Sequence, residues 1–187
     1  MMNPNSSRQR DPGALETRIT YYPNGVLEQE SELKGGKKDG VTRTYDEQGC
    51  LKEVFHYRDG MQHGRAQWFY TDGKLMREVR YSRGAMQGLL RSWYENGVLK
   101  DKWNFEKGKL EGKAQIYYPN GILKEEIHFH RDLREGLNIK YHPNGKPREE
   151  ACYVNDFLQG LVRLFDEQGT VIKSQRFEHG EPGQIVS

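Results

Sequence analysis

Apolar residues in this chain fall in short clusters at regular intervals and do not follow the 3.6-residue rhythm of an amphipathic helix. The clusters are β-branched and aromatic, as in Ile19-Thr20-Tyr21-Tyr22, Trp68-Phe69-Tyr70 and Ile116-Tyr117-Tyr118, and turn residues separate them. Glycine sets the interval. One ladder runs Gly25, Gly49, Gly73, Gly97, Gly121, Gly145 and Gly169, with 24 residues between members. A second runs from Gly40 to Gly160, and a third reads Gly36, Gly60, Gly84, Gly108, Asp132, Asp156 and Gly180 at the same period. Cutting at the second ladder divides the chain into seven units, 16–39, 40–63, 64–87, 88–111, 112–135, 136–159 and 160–183. They are preceded by a flexible head, 1–15, and followed by a tail, 184–187.

Each unit holds two short strand-forming segments. Pro23-Asn24-Gly25, Pro119-Asn120-Gly121 and Pro143-Asn144-Gly145 are three-residue hairpin loops, with proline at the first corner and glycine in the left-handed position. The aromatic before the loop (Tyr21, Tyr45, Phe69, Trp93, Tyr117, Tyr141, Phe165) then stands opposite the apolar residue after it, such as Leu27 or Leu51. Strand alternation adds Leu33, Tyr57, Tyr81, Phe105, Phe129, Tyr153 and Phe177 to the same apolar face. The second connection, such as Asp59-Gly60-Met61-Gln62-His63, reads as a longer turn returning the chain to the next hairpin. The expected fold is all-β: an elongated antiparallel meander of seven 24-residue β-hairpin repeats.

Composition supports a chain without a conventional two-layer core. Only 34% of residues are hydrophobic and 30% are charged, so aromatics must supply most of the buried area. Basic and acidic residues nearly balance, 29 against 27, and no basic stripe interleaves with aromatics, which disfavours a nucleic-acid partner. No stretch approaches the ~20 apolar residues of a membrane span, and MMNPNSSRQRDPG lacks the apolar core of a secretory signal. The expected location is cytoplasmic as the sequence stands, or periplasmic if a signal segment precedes it. Cys50 and Cys152 lie about four units apart, or ~40 Å at two strand spacings per unit, too far for a disulfide within one chain.

The pattern G-x-x-x-x-Y-Y-x-N-G-x-L-x-x-E-x-x-Y-x-x-G-x-x-x-G, clearest in Gly88–Gly112 and Gly112–Gly136, resembles the bacterial variant of the MORN repeat found in tandem in YwqK-like antitoxins. The resemblance covers 16–183. Asp132 and Asp156 in place of glycine, and Pro147 in place of leucine, depart from it and are expected to alter turns or disturb a strand in the fifth and sixth units.

No nucleophile elbow, phosphate loop or Cys/His metal motif is present, so the chain is read as a non-enzyme with no cofactor and no metal site. His128-Phe129-His130, beside Glu125 and Glu126, reads as two solvated strand-face histidines. The glycines read as turn residues, since no helix follows any of them.

The second aromatic before each loop is expected to face away from the apolar ladder. With other away-facing positions it supplies the candidate partner-binding set Tyr70, Tyr94, Tyr118, Trp68, Arg80 and His142, residue types common in interface hot spots. What the resemblance implies is a binding protein, monomeric when free, that neutralises a cognate toxin or effector, a lipase or a nuclease, by stoichiometric masking of its active site. That is an antitoxin or immunity protein. The alternative is a MORN-type structural or membrane-proximal scaffold, without membrane insertion; the balanced charges argue against its lipid-facing stripe.

Overall fold

A computed structural model describes residues 14–185 of the 187. Nearly all of the expected head, and the last two residues of the tail, lie outside the described residues.

Eighteen antiparallel strands follow one another into a single open sheet, with no helix among the described residues. They are β1 (Leu15–Tyr21), β2 (Leu27–Lys34), β3 (Lys37–Tyr45), β4 (Leu51–Arg58), β5 (Met61–Phe69), β6 (Leu75–Ser82), β7 (Ala85–Trp93), β8 (Leu99–Glu106) and β9 (Lys109–Leu110). The series continues with β10 (Gly112–Tyr117), β11 (Leu123–His130), β12 (Leu133–Arg134), β13 (Gly136–Tyr141), β14 (Pro147–Val154), β15 (Phe157–Leu158), β16 (Gly160–Phe165), β17 (Val171–Glu178) and β18 (Glu181–Ile185). Pairing runs in sequence order, with the two-residue strands β9, β12 and β15 leading into β10, β13 and β16 along the same partners, β8, β11 and β14, which is the meander that the 24-residue period predicts. β18 takes in Gln184 and Ile185 of the expected tail and forms the last edge.

The first loop of each unit is as the Pro-Asn-Gly signal requires. Gly25 donates its N–H to the Tyr22 carbonyl at 2.9 Å with φ at 83°, and Val26 donates to the Asn24 side-chain oxygen at 3.0 Å. Glycine takes the left-handed corner at no steric cost, and asparagine occupies the next orphaned N–H.

The second connection is shorter than its composition suggests. Arg58 pairs with Met61, so only Asp59 (φ 51°) and Gly60 (φ 83°) form the loop, a type I′ turn whose twist matches that of the strands. The additional length lies in an irregularity beyond the turn. Phe55 pairs with Ala66 and Tyr57 with Gln62, so His63, Gly64 and Arg65 stand against His56.

Asp132 and Asp156 do not alter the turn. They adopt φ of 75° and 69° after Arg131 and Asn155, also left-handed, and each carboxylate accepts an N–H of the preceding unit, from Leu110 at 2.7 Å and Arg134 at 3.0 Å. Those bonds offset the strain of a side chain in the left-handed region. Pro147 opens β14 opposite Tyr141, a strand position that needs no N–H in the ladder.

A bulge corrects the expected distribution of residues between the two faces. The aromatic before the loop does pair with the apolar residue after it, Tyr45 with Leu51 and Trp93 with Leu99. Thr44, however, pairs with Glu53, leaving Lys52 unmatched. That extra residue resets the alternation in β4 and puts Phe55 and Tyr57 on the face opposite Leu51 and Tyr45; Tyr45 shares its own face with Arg43 and Glu30, and its hydroxyl donates to Glu30 at 3.3 Å. The residues packed most closely lie on the opposite face: Thr42, Ala66, Val79, Ala114, Ile127 and Ala151 are buried there, with rings such as Phe55 and Trp103 between them.

Candidate partner-binding surface

The described residues form one layer, so both faces of the sheet are open among them, and cross-strand register assigns each side chain to a face. The first, which we call the aromatic face, carries Phe55, Tyr57, Trp68, Tyr81, Trp103 and Phe129. Phe55 and Trp68 meet edge-on with centroids 5.1 Å apart at 85°, and Trp103 and Phe129 are 6.0 Å apart. Cations border this row, with the Arg77 guanidinium 5.8 Å from the Trp68 ring and Lys38 4.9 Å from Tyr57.

The other face is charged. Glu30 pairs with Arg43 at 2.7 Å, Glu126 with Lys113 at 2.8 Å and Glu150 with Arg163 at 3.4 Å. Lys102 lies 5.5 Å from the Tyr117 ring, and the Tyr117 hydroxyl donates to Gln115 at 3.1 Å. Glu78 serves two guanidiniums, Arg65 at 2.5 Å and Arg91 at 3.3 Å. Arg80 stands directly across the strands from Arg65 and makes no ion pair among the described residues. These groups, with Gln87 and Leu89, line a hollow of about 380 Å³ that carries more positive than negative charge.

The six candidate residues therefore do not converge. Trp68 belongs to the aromatic face and Arg80 to the charged one. Tyr70, Tyr94, Tyr118 and His142 sit at the loops, where their polar atoms bond within the array. Each reaches one unit along the chain. The hydroxyls of Tyr70, Tyr94 and Tyr118 donate to the carbonyls of Trp93, Tyr117 and Tyr141 at 2.7, 2.8 and 2.8 Å, and His142 Nε2 contacts the Phe165 carbonyl at 2.9 Å. Tyr22 does the same to Tyr45. Burial, then the charge of Glu95, push the Tyr70 phenol above its ordinary range. All four candidates are half-buried, with their polar atoms engaged inside the array.

Where that position is Asp46 or Asp166, the link is absent and the carboxylate closes its own loop. Asp46 accepts from Gln48 and Cys50 at 3.0 and 2.8 Å, and Asp166 likewise accepts from Gln168 and Thr170. The opposite edge is tied in every unit. Gly60, Gly84, Gly108, Asp132, Asp156 and Gly180 each donate an N–H to a carbonyl in the preceding unit, beginning with Lys38.

The histidine pair is divided between two local bonds, His128 to the Leu137 carbonyl at 2.7 Å and His130 to Glu111 at 3.1 Å. Among the described residues no three His, Cys, Asp or Glu side chains are grouped to hold a metal ion. Cys50 and Cys152 are both free thiols. The sequence reading missed the Asp46 and Asp166 exchange and the Arg65–Arg80 apposition; the first was signalled by Asp-Glu-Gln-Gly replacing Tyr-Pro-Asn-Gly.

A one-layer ribbon of stacked hairpins, tied along one edge at every junction and along the other wherever a tyrosine or histidine reaches across, defines a repeat protein. This chain belongs to the MORN repeat variant family, whose model matches residues 17–34, 62–82, 86–107, 110–131 and 134–155. The seventh unit, which carries Asp166, and all of the second but Gln62 and His63, Asp46 included, lie outside the match. No curated protein matches the chain.

Proposed function

We propose that this protein is a non-catalytic binding protein that neutralises a toxin or effector by covering its active site, as its likeness to YwqK-like antitoxins suggests. The observation that carries the reading is the row Phe55, Trp68, Trp103 and Phe129 on a sheet that has no second layer over it among the described residues. Rings already braced against each other present apolar area at little entropic cost on docking. The bound partner covers the aromatic face. The tyrosines at the loops stay within the array, and Trp68 is the one residue of the sequence-derived set that keeps its place in the contact.

The test uses the full chain as bait, followed by native mass spectrometry and an activity assay of what it retains. The expected result is a stoichiometric complex in which the partner's activity is lost. A retained protein with full activity, or the absence of a stable complex, overturns the reading. Neighbouring arginines then identify the face. Arg77 lies beside Trp68 on the aromatic face and Arg80 lies on the charged face, and both are exposed. Arg77→Glu should weaken the complex at least tenfold, while Arg80→Glu should leave it unchanged.

A further inference from the structure

An open sheet has two edges, and those of this ribbon are built differently. β18, Glu-Pro-Gly-Gln-Ile, carries Pro182, which has no N–H to offer, then Gly183, and its register against β17 is broken between Gln175 and Phe177. Proline and irregular register are devices by which an edge resists pairing with another chain.

β1, Leu-Glu-Thr-Arg-Ile-Thr-Tyr, has none of them. It contains no proline, glycine or lysine, its register against β2 is unbroken from Leu15 to Thr20, and β2 is its one strand partner among the described residues. All seven of its residues are exposed, including Leu15 at 72%, Ile19 at 47% and Tyr21 at 61%. An uninterrupted, half-apolar strand of this kind is a template for strand addition.

We propose that β1 pairs antiparallel with β1 of a second copy of this chain, about a two-fold axis at Thr17. This register is favoured because the sequence is complementary to itself only there. It sets Glu16 against Arg18 twice and Leu15 against Ile19 twice, with each pair on one face of the joined sheet. An axis at Arg18 would oppose two arginines, and an axis at Glu16 would oppose two glutamates. A one-residue slip would bring residues of opposite faces together. The contact uses the same surface on both copies, and the far edge is blocked, so association stops at two.

The paired segment is short and buries well under the ~1,200 Å² of a standard interface, so the dimer is weak, populated at about 0.5 mM and dissociated at about 1 µM. The proposal departs from the expectation that the free chain is a monomer, and it does not depend on the function proposed above.

Sedimentation velocity on the full chain across that range tests it. The wild type should move from monomer to dimer with rising concentration. Arg18→Glu and Glu16→Arg should each remain monomeric, because each sets like charges opposite. An equimolar mixture of these two variants, and the double variant Glu16→Arg/Arg18→Glu, should dimerise again. Both single variants lie on an exposed edge, and a far-UV circular dichroism spectrum matching wild type shows that each is folded. A wild type that stays monomeric, a dimer that survives Arg18→Glu, failure of the mixture to recover association, or growth beyond two copies each overturns the proposal.

Discussion

The junction between the fourth and fifth units and the junction between the second and third are held by different chemistry. At the former, Tyr94 donates to the Tyr117 carbonyl, the Asn96 amide donates to the Pro119 carbonyl at 3.1 Å, and the ring of Tyr94 carries Lys100 at 5.8 Å. At the latter, Asp46 turns its carboxylate onto its own loop, and no side chain takes the tyrosine's place. The Gly84-to-Gln62 bond on the other edge persists, and the edge-on contact of Phe55 with Trp68 bridges the two units on the aromatic face. A repeat array needs cohesion at every interface, since each unit buries surface only against its neighbours. The 24-residue period fixes the backbone geometry of that interface and leaves its side-chain chemistry free to change from one junction to the next.

The largest effect should come from breaking the ring pair. Phe55→Ala removes a packed aromatic from the one junction without a tyrosine or histidine link, and should cost ~3–5 kcal/mol. Hydrogen exchange should then show the first two units opening separately from the rest. A double-mutant cycle with Trp68→Ala should return a coupling of about 1 kcal/mol; a coupling near zero would mean that the rings pack independently and the junction is held by its backbone alone.

Removing a single hydroxyl at the tied junction should matter less. Tyr94→Phe deletes the donor to the Tyr117 carbonyl and should lower stability by about 1 kcal/mol. Tyr21→Phe, at an exposed tyrosine of the first strand, should change it by less than ~0.5 kcal/mol. Equal melting of the two variants would show that the link contributes nothing.

How legible these features were in the sequence depended on whether they repeat. Three glycine ladders in phase are sufficient for the hairpins, their order and the first loop, because only a left-handed corner explains glycine at each of those places. The face assignment failed at Lys52 and its equivalents. A bulge has no residue signature there, yet one unmatched residue transfers Tyr45 and Trp93 from the aromatic to the charged side. The structural part played by the candidate residues was illegible for a related reason. Tyr70, Tyr94 and Tyr118 look like an interface because tyrosine is common in interfaces, whereas their acceptor carbonyls lie 23 residues on and come into reach only once the units are stacked. Trp68 could be proposed from residue type alone, but its packing on Phe55 could not.

A substitution that copies the tyrosine link into the second unit sharpens the comparison further. Asp46→Tyr supplies the hydroxyl that the second junction lacks, but it strips two acceptor contacts from the loop, those to the N–H groups of Gln48 and Cys50. The loop there is Glu-Gln-Gly, without the asparagine that serves the same N–H in Tyr-Pro-Asn-Gly. Gain and loss should nearly cancel, within ~0.5 kcal/mol in urea unfolding. Adding Gln48→Asn should release the gain, and a combined variant no more stable than Asp46→Tyr would show that the loop's chemistry and the link are unrelated.

The smallest effect concerns the charged face within the tied region, and its sign follows from Glu126. Burial works to raise its carboxyl, but Lys113 at 2.8 Å and Gln115 at 3.2 Å outweigh burial and hold it below the ordinary glutamate range. A carboxyl lowered on folding contributes stability that is complete above its unfolded value, ~4.3, and drains away as pH falls through the lower folded value. Lys113 is half exposed, with 50% of its side chain accessible, so solvent screening keeps the contribution to ~0.3 kcal/mol. Glu126→Gln should therefore be slightly less stable than wild type at pH 7, with the gap closing toward pH 3. Urea unfolding at the two pH values measures it. A gap that widens toward acid would mean that burial wins, and that Glu126 is held against its preference by the packing around it.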